Sequence, residues 1–210
     1  MLKRRDKKGF TLIELAIVLV IIGLIIGAVL KGADLIDNAK AKKFITKARG
    51  WEVSQWTYLD REGGFAGDDN KNGKIGGATG NPAADFVAAS FTNPPYEGGG
   101  TPINTITMGS LTFYVFFGTD GGADAGLNIL TICSDNACGA FTEAELLYIK
   151  SLDVAIDGTA DGANGQLIGV SSAPAITAAE WEAGYASAPT AAAWTAATTQ
   201  AAVYYFDGQP

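Results

Sequence analysis

There is no histidine in this chain of 210 residues. Its absence excludes Ser-His and Cys-His nucleophile pairs and removes the commonest general base. The commonest zinc ligand is missing with it, and two cysteines, Cys133 and Cys138, do not make a structural zinc site. No nucleophile–base set remains from which to build an enzyme. Positive charge is also scarce: 15 Lys and Arg stand against 22 Asp and Glu, a net charge of −7. Five of the basic residues (Lys3, Arg4, Arg5, Lys7, Lys8) and one acid, Asp6, precede Phe10. Without residues 1–9 the chain carries 10 basic and 21 acidic residues, or −11. Such an acidic surface disfavours nucleic acid as a main partner.

What the chain does have is an oily opening. Residues 7–32 read KKGFTLIELAIVLVIIGLIIGAVLKG, and in the 21 residues from Phe10 to Leu30 the one ionisable group is Glu14. As a helix the run spans roughly 31 Å, close to the hydrocarbon thickness of a bilayer. The basic cluster before it places the N-terminus in the cytoplasm. A secretory signal peptide would have a shorter apolar region followed by a small-residue cleavage site, and none is evident after Leu30. A simple one-pass anchor leaves Glu14 unexplained, because a carboxylate in lipid costs about 2.5–3.5 kcal/mol on insertion scales. No cation follows it until Lys31. A cut between Gly9 and Phe10 would create an α-amino group four residues before Glu14. That amine would pair with Glu14 of the same chain or of a neighbour; pairing between chains offsets the buried charge and fixes axial register.

The stretch Lys8-Gly9-Phe10-Thr11-Leu12-Ile13-Glu14 resembles the processing site of type IV pilins and type II secretion pseudopilins. The resemblance covers about residues 3–30. It implies cleavage after Gly9 by a prepilin peptidase, N-methylation of Phe10, and Glu14 as the assembly carboxylate. It also implies an α+β, pilin-like fold: a long N-terminal helical stem packed on an antiparallel β-sheet head with long loops. The expected organisation is a leader at 1–9, a stem at 10–60 whose first part (10–30) is membrane span and filament core, and a globular β-rich head at 61–210. Many members of the family have a proline partway along the stem, whereas the first proline here is Pro82. Gly23 and Gly27 either take its part, since each lowers helix propensity by roughly 1 kcal/mol against Ala, or let helices approach closely as small-xxx-small pairs do.

Beyond the span, Ala41, Phe44, Ile45, Ala48, Trp51, Trp56 and Leu59 share one apolar face at helical spacing. Lys40, Lys42, Lys43, Lys47 and Arg49 largely fill the rest. They read either as a patch for lipid headgroups or nucleic acid, or as a solvated face turned to acidic neighbours. Gly63-Gly64 ends the helix. Asp68-x-Asn70-x-Asn72-Gly73 then matches the first half of an EF-hand-type calcium loop. Thr79 stands where the twelfth-position Glu belongs, so the segment reads as a calcium site completed from elsewhere or as an Asp/Asn/Gly turn without metal.

Residues 78–104 form an irregular loop with a helical turn near 85–90. Thr105–Phe117 and Leu127–Cys133 read as an antiparallel strand pair around an Asp120-Gly121-Gly122 turn, and they are expected to cover the stem's apolar face. Cys133 and Cys138 enclose four residues; outside the cytoplasm a structural disulfide is expected, contributing on the order of 2 kcal/mol. The alternative redox-active pair lacks CxxC spacing. Thr142 and Glu145 form a capping box for a helix at about 142–153. The residues that follow resemble the end of one pilin-like subgroup, and Asp153, Asp157, Asp161 and Asn164 resemble the calcium-binding C-terminal loop of major pseudopilins; the alternative is a Gly-rich turn. Gln166–Val170 and Val203–Phe206 read as strands. The Ala- and Thr-rich stretch 171–202, with a short helix capped by Thr177 and Glu180, reads as a surface insertion that contacts neighbouring subunits.

The expected function is a structural subunit of an extracellular type IV pilus, held in the inner membrane and polymerised through its N-terminal helix. The alternatives are a type II secretion pseudopilin and a minor pilin or adhesin. The resemblance implies as partners further copies of the chain in a helical filament, the membrane, the peptidase, and the pilus assembly platform with its ATPase.

Overall fold

The computed structural model describes residues 9–77, 79–89, 104–122 and 125–208. Most of the leader (1–8), Asn93-Pro94-Pro95, Gly98–Gly100 and the terminal Gln209-Pro210 lie outside the described residues. The chain divides into two compact units, residues 1–40 and 41–210. The long helix α1, Leu12–Glu62, contributes to both, so the second unit includes part of the expected stem.

In the first unit α1 starts at Leu12, and apart from Glu14 its residues up to Leu30 carry no ionisable group, with Ile13, Leu19, Leu24 and Leu30 exposed. Length and composition suffice for a membrane span. The helix passes through Gly23 and Gly27 without interruption, and open space surrounds both.

In the second unit the same helix is amphipathic. Phe44, Ala48 and Trp51 are buried, Ile45 and Leu59 half-buried, while Trp56, expected on that face, is 36% exposed. Gly63, in the left-handed region at φ 78°, ends the helix by donating its N–H to Leu59 O at 2.9 Å. Buried Gln55 holds the descending chain through a two-way amide contact with Ala66: Ala66 N donates to Oε1 at 2.9 Å, and Nε2 donates to Ala66 O at 3.3 Å. The turn foreseen near 85–90 is helix α2, Pro82–Ala88, with Pro82 at its start and Asn81 as its N-cap.

Among the described residues the sheet has seven strands: β1 (Thr105–Met108), β2 (Leu111–Thr119), β3 (Asn128–Cys133), β4 (Leu167–Val170), β5 (Ala175–Thr177), β6 (Glu182–Gly184) and β7 (Ala201–Tyr205). Their order is β4-β7-β3-β2-β6-β5, with β1 also pairing β2. The expected strand 105–117 is a hairpin, because Gly109 at φ 66° turns the chain between β1 and β2. All pairings are antiparallel except β2–β6, which is parallel at Phe117 and Glu182. Helix α3, Glu143–Asp157, carries the expected capping box at Thr142 and Glu145 but runs four residues past the expected end, to an αL glycine at 158.

Every residue of β3, β4 and β7 is buried. A sheet with one wet face would alternate; here both faces are covered. Phe113, Val115, Phe117, Leu130, Ile132 and Tyr204 belong to the core built with Phe44, Trp51 and α3. Phe116, Ile129, Val170, Val203 and Tyr205 belong to a second core, closed by Ala183 and Tyr185 of the 171–200 segment. That segment is therefore a cover for the sheet and not an open surface insertion. It forms the β5–β6 hairpin, with a turn at 178–181 in place of the helix expected after Thr177. It also delivers Trp181 and Trp194 to the first core. Cys133 and Cys138 form the expected disulfide, Cα to Cα 4.8 Å, at the end of β3.

Candidate processing and assembly site

Thr11 and Glu14 organise the start of α1. Gly9 and Phe10 precede the helix, and Phe10 is exposed. Thr11 N and Thr11 Oγ1 both donate to Glu14 Oε2, at 2.7 and 2.8 Å, and Glu14 N donates back to Thr11 Oγ1 at 3.3 Å. This is a reciprocal helix cap. The same three bonds link Thr142 and Glu145 at the start of α3. The T-x-x-E signal before an apolar run is present at Thr11 as well, and sequence reasoning passed over it there by treating Glu14 solely as an assembly group. The cap matters chemically. It satisfies two N-terminal donors of the helix and gives the carboxylate partners within its own chain, while leaving one oxygen, Oε1, outside these bonds.

The two Asp/Asn-rich segments turn several of their side-chain oxygens to their own backbone. Asp68 Oδ1 and Asn70 Oδ1 both accept from Asn72 N, at 3.1 and 3.0 Å, and Asp68 Oδ2 accepts from Gly73 N at 2.8 Å. Asn72 Oδ1 accepts from Lys74 N. The oxygens proposed as calcium ligands thus face backbone N–H groups of their own turn. Buried Asn128 then fixes this loop to the sheet: its Oδ1 accepts from Ile75 N at 2.7 Å, and its Nδ2 donates to Gly73 O at 2.8 Å and to Asp207 Oδ2 at 2.5 Å.

In the second segment, Asp157 accepts from Gln166 N and Leu167 N at 2.9 and 2.8 Å, and Asp161 accepts from Ala163 N and Asn164 N. Asp153 turns away into the core, where its Oδ2 accepts from Trp194 Nε1 at 2.6 Å and from Gly162 N at 3.1 Å. Trp194 fits there because two glycines admit it; a Cβ on Gly162 would lie 2.6 Å from Cε2 of the indole, and one on Gly169 2.9 Å from Cε3. Among the described residues no group of three His, Cys, Asp or Glu is arranged to hold a metal ion.

Asp153 gives a measurable consequence. Burial raises its pKa to about 6, against the pull of the Trp194 and Gly162 hydrogen bonds, and nearby Asp157 adds to the rise. A folded-state pKa above the unfolded value, near 4, means that the folded chain binds this proton more tightly. The stabilisation is therefore fully present below about pH 4 and is lost as pH rises through about 6, a change on the order of 2 kcal/mol. Asp153→Asn keeps an acceptor for the indole and removes the titration. In detergent, the melting temperature of this variant should change less between pH 4.5 and 7.5 than that of the parent. Equal pH slopes would show that Asp153 does not titrate as its burial requires.

No curated protein and no solved structure matches the chain. Residues 4–30 match the family model described as the prokaryotic N-terminal methylation motif, so the segment holding Gly9, Phe10 and the Thr11–Glu14 cap is the signature of type IV pilins and pseudopilins.

Proposed function

We propose that the chain is a type IV pilus subunit, stored in the inner membrane with its N-terminus cytoplasmic, cut between Gly9 and Phe10, N-methylated at Phe10 and polymerised through α1. The single observation that carries this reading is the motif match at 4–30, with Glu14 as the one ionisable group between Phe10 and Leu30. The apolar helix serves as anchor before assembly and as core afterwards, so its surface stays away from water in both states. Cleavage frees an amine next to the Thr11–Glu14 cap of a neighbouring copy, and Glu14 Oε1 accepts it. Gly23 and Gly27 lie four residues apart with nothing against them, which suits close approach between helices in the core. Prepilin peptidase and a membrane platform with its ATPase are the partners that such a cycle requires. Electron microscopy of shed filaments, with peptide identification, tests the reading. Filaments composed mainly of this chain are expected. The chain at low copy number on filament tips would instead favour a minor pilin or adhesin.

A further inference from the structure

The second core covers one face of the sheet, and the cover is incomplete at one corner. Between the segment that carries Pro189 and the turn that carries Asn164, a cavity of about 350 Å³ opens over Leu127, Ile168 and Tyr205. These three belong to or pack against that core, so the floor is largely apolar. Small-molecule sites start at roughly 300 Å³ and combine apolar walls with a few convergent polar groups. One wall here carries charge. Asp120, just past the end of β2, lines the cavity although it is only 5% exposed. Its Oδ1 accepts from Leu127 N at 2.7 Å, and Gly126 lets the loop close on that oxygen, which a Cβ there would strike. The carboxylate is thus fixed before any ligand arrives. The Tyr205 hydroxyl lies beside it; burial first, and then the Asp120 charge, raise its pKa, so it stays a neutral donor. No cation pairs with Asp120 among the described residues. A buried carboxylate is costly without a positive partner. Around it, residues 51–210 hold four basic and 18 acidic residues, a field that attracts cations.

We propose that this cavity binds a small organic cation, an ammonium group on an apolar body. The ammonium donates to Asp120, and the body lies against Leu127, Ile168 and Pro189. Charge sets the preference among ligands of one size. An anion would face the carboxylate and be repelled, and a neutral donor would gain a hydrogen bond without the charge that strengthens it. The cavity lies wholly within the second unit, so the proposal stands apart from the filament reading.

Three probes test it on the full chain in an uncharged detergent: phenethylammonium, phenethyl alcohol and phenylacetate. They share a phenyl body and differ in the charge of the head group. The readout is the NMR signal of the Leu127 amide, whose N–H is bonded to Asp120. Phenethylammonium should shift it saturably, phenethyl alcohol should bind about tenfold more weakly, and phenylacetate should not bind. Asp120→Asn keeps an acceptor for Leu127 N and should lower the affinity for phenethylammonium to that for the alcohol. Ala188→Trp, at an exposed position on the rim, should close the cavity to all three probes and melt like the parent. It also corrects for uptake of the probes by the detergent. Should Asp120→Asn fail to fold, the ranking of the three probes on the parent decides alone. The proposal is overturned by the absence of a saturable shift with phenethylammonium, by equal affinities for ammonium and alcohol, by parent-like affinity in folded Asp120→Asn, or by a shift that persists in Ala188→Trp.

Discussion

Glu14→Ala abolishes filament formation and leaves the second unit folded: this is the expected result, and two costs explain it. The first is local. Glu14 Oε2 takes both the N–H and the hydroxyl of Thr11, so truncation removes half of a helix cap, worth about 0.5–2 kcal/mol. The second arises on assembly. In the proposed cycle the new α-amino group of Phe10 enters an apolar helix bundle, and without Glu14 it enters unpaired. An uncompensated buried charge costs about 3–5 kcal/mol when its partner is removed. Per subunit that is a factor of 100 or more, and it recurs at every step of polymerisation. Glu14→Gln separates the terms: it keeps acceptors for Thr11 but lacks the charge, so it should restore the cap and not the filament. Circular dichroism in detergent should be unchanged for both variants. Abundant filaments from Glu14→Ala would remove the carboxylate from the assembly mechanism.

Trp51→Ala has the opposite signature, loss of fold with an intact N-terminal motif. Trp51 is fully buried, with ring centroids 6.1 Å from Phe117 on β2 and 5.8 Å from Trp181 in the covering segment. It therefore joins α1, the sheet and the cover at one point. Truncating a buried Trp costs about 3–5 kcal/mol, against a total stability of about 5–15 kcal/mol for a domain. The melting temperature should fall by about 6–20 °C, at roughly 2–4 °C per kcal/mol for a chain of this size. Val53→Ala, two residues along on the exposed face, should change the stability of the unassembled chain by less than about 0.5 kcal/mol. Similar melting temperatures for the two variants would contradict the placement of Trp51 at the centre of the core.

What was legible in the sequence was what is written locally. The 21-residue apolar run, the amphipathic switch after Lys40 and the Thr142–Glu145 cap each depend on spacings of three or four residues, and each stands where its spacing put it. The disulfide was legible for the same reason. The role of residues 171–200 was not, because nothing in an Ala- and Thr-rich stretch announces that a distant sheet has an uncovered face. Ala183 and Tyr185 acquire their meaning only from Phe116, Ile129 and Val203. The parallel pairing of β6 beside β2 was invisible on the same grounds. The Asp-rich segments were ambiguous in principle. Alternating oxygens in a Gly-rich loop suit a cation and a backbone N–H equally well, and the bonds from Asn72 N, Gly73 N and Gln166 N appear only in the fold. The bond between Asp153 and Trp194 was hidden as well, since the two lie 41 residues apart.

The central claim is that cleavage creates an amine that meets a buried carboxylate. Mass spectrometry of the chain extracted from shed filaments tests it most directly. The predicted N-terminal peptide begins at Phe10 and carries one added methyl group. Assembled protein that still begins with the leader, or that starts at any other residue, would contradict it.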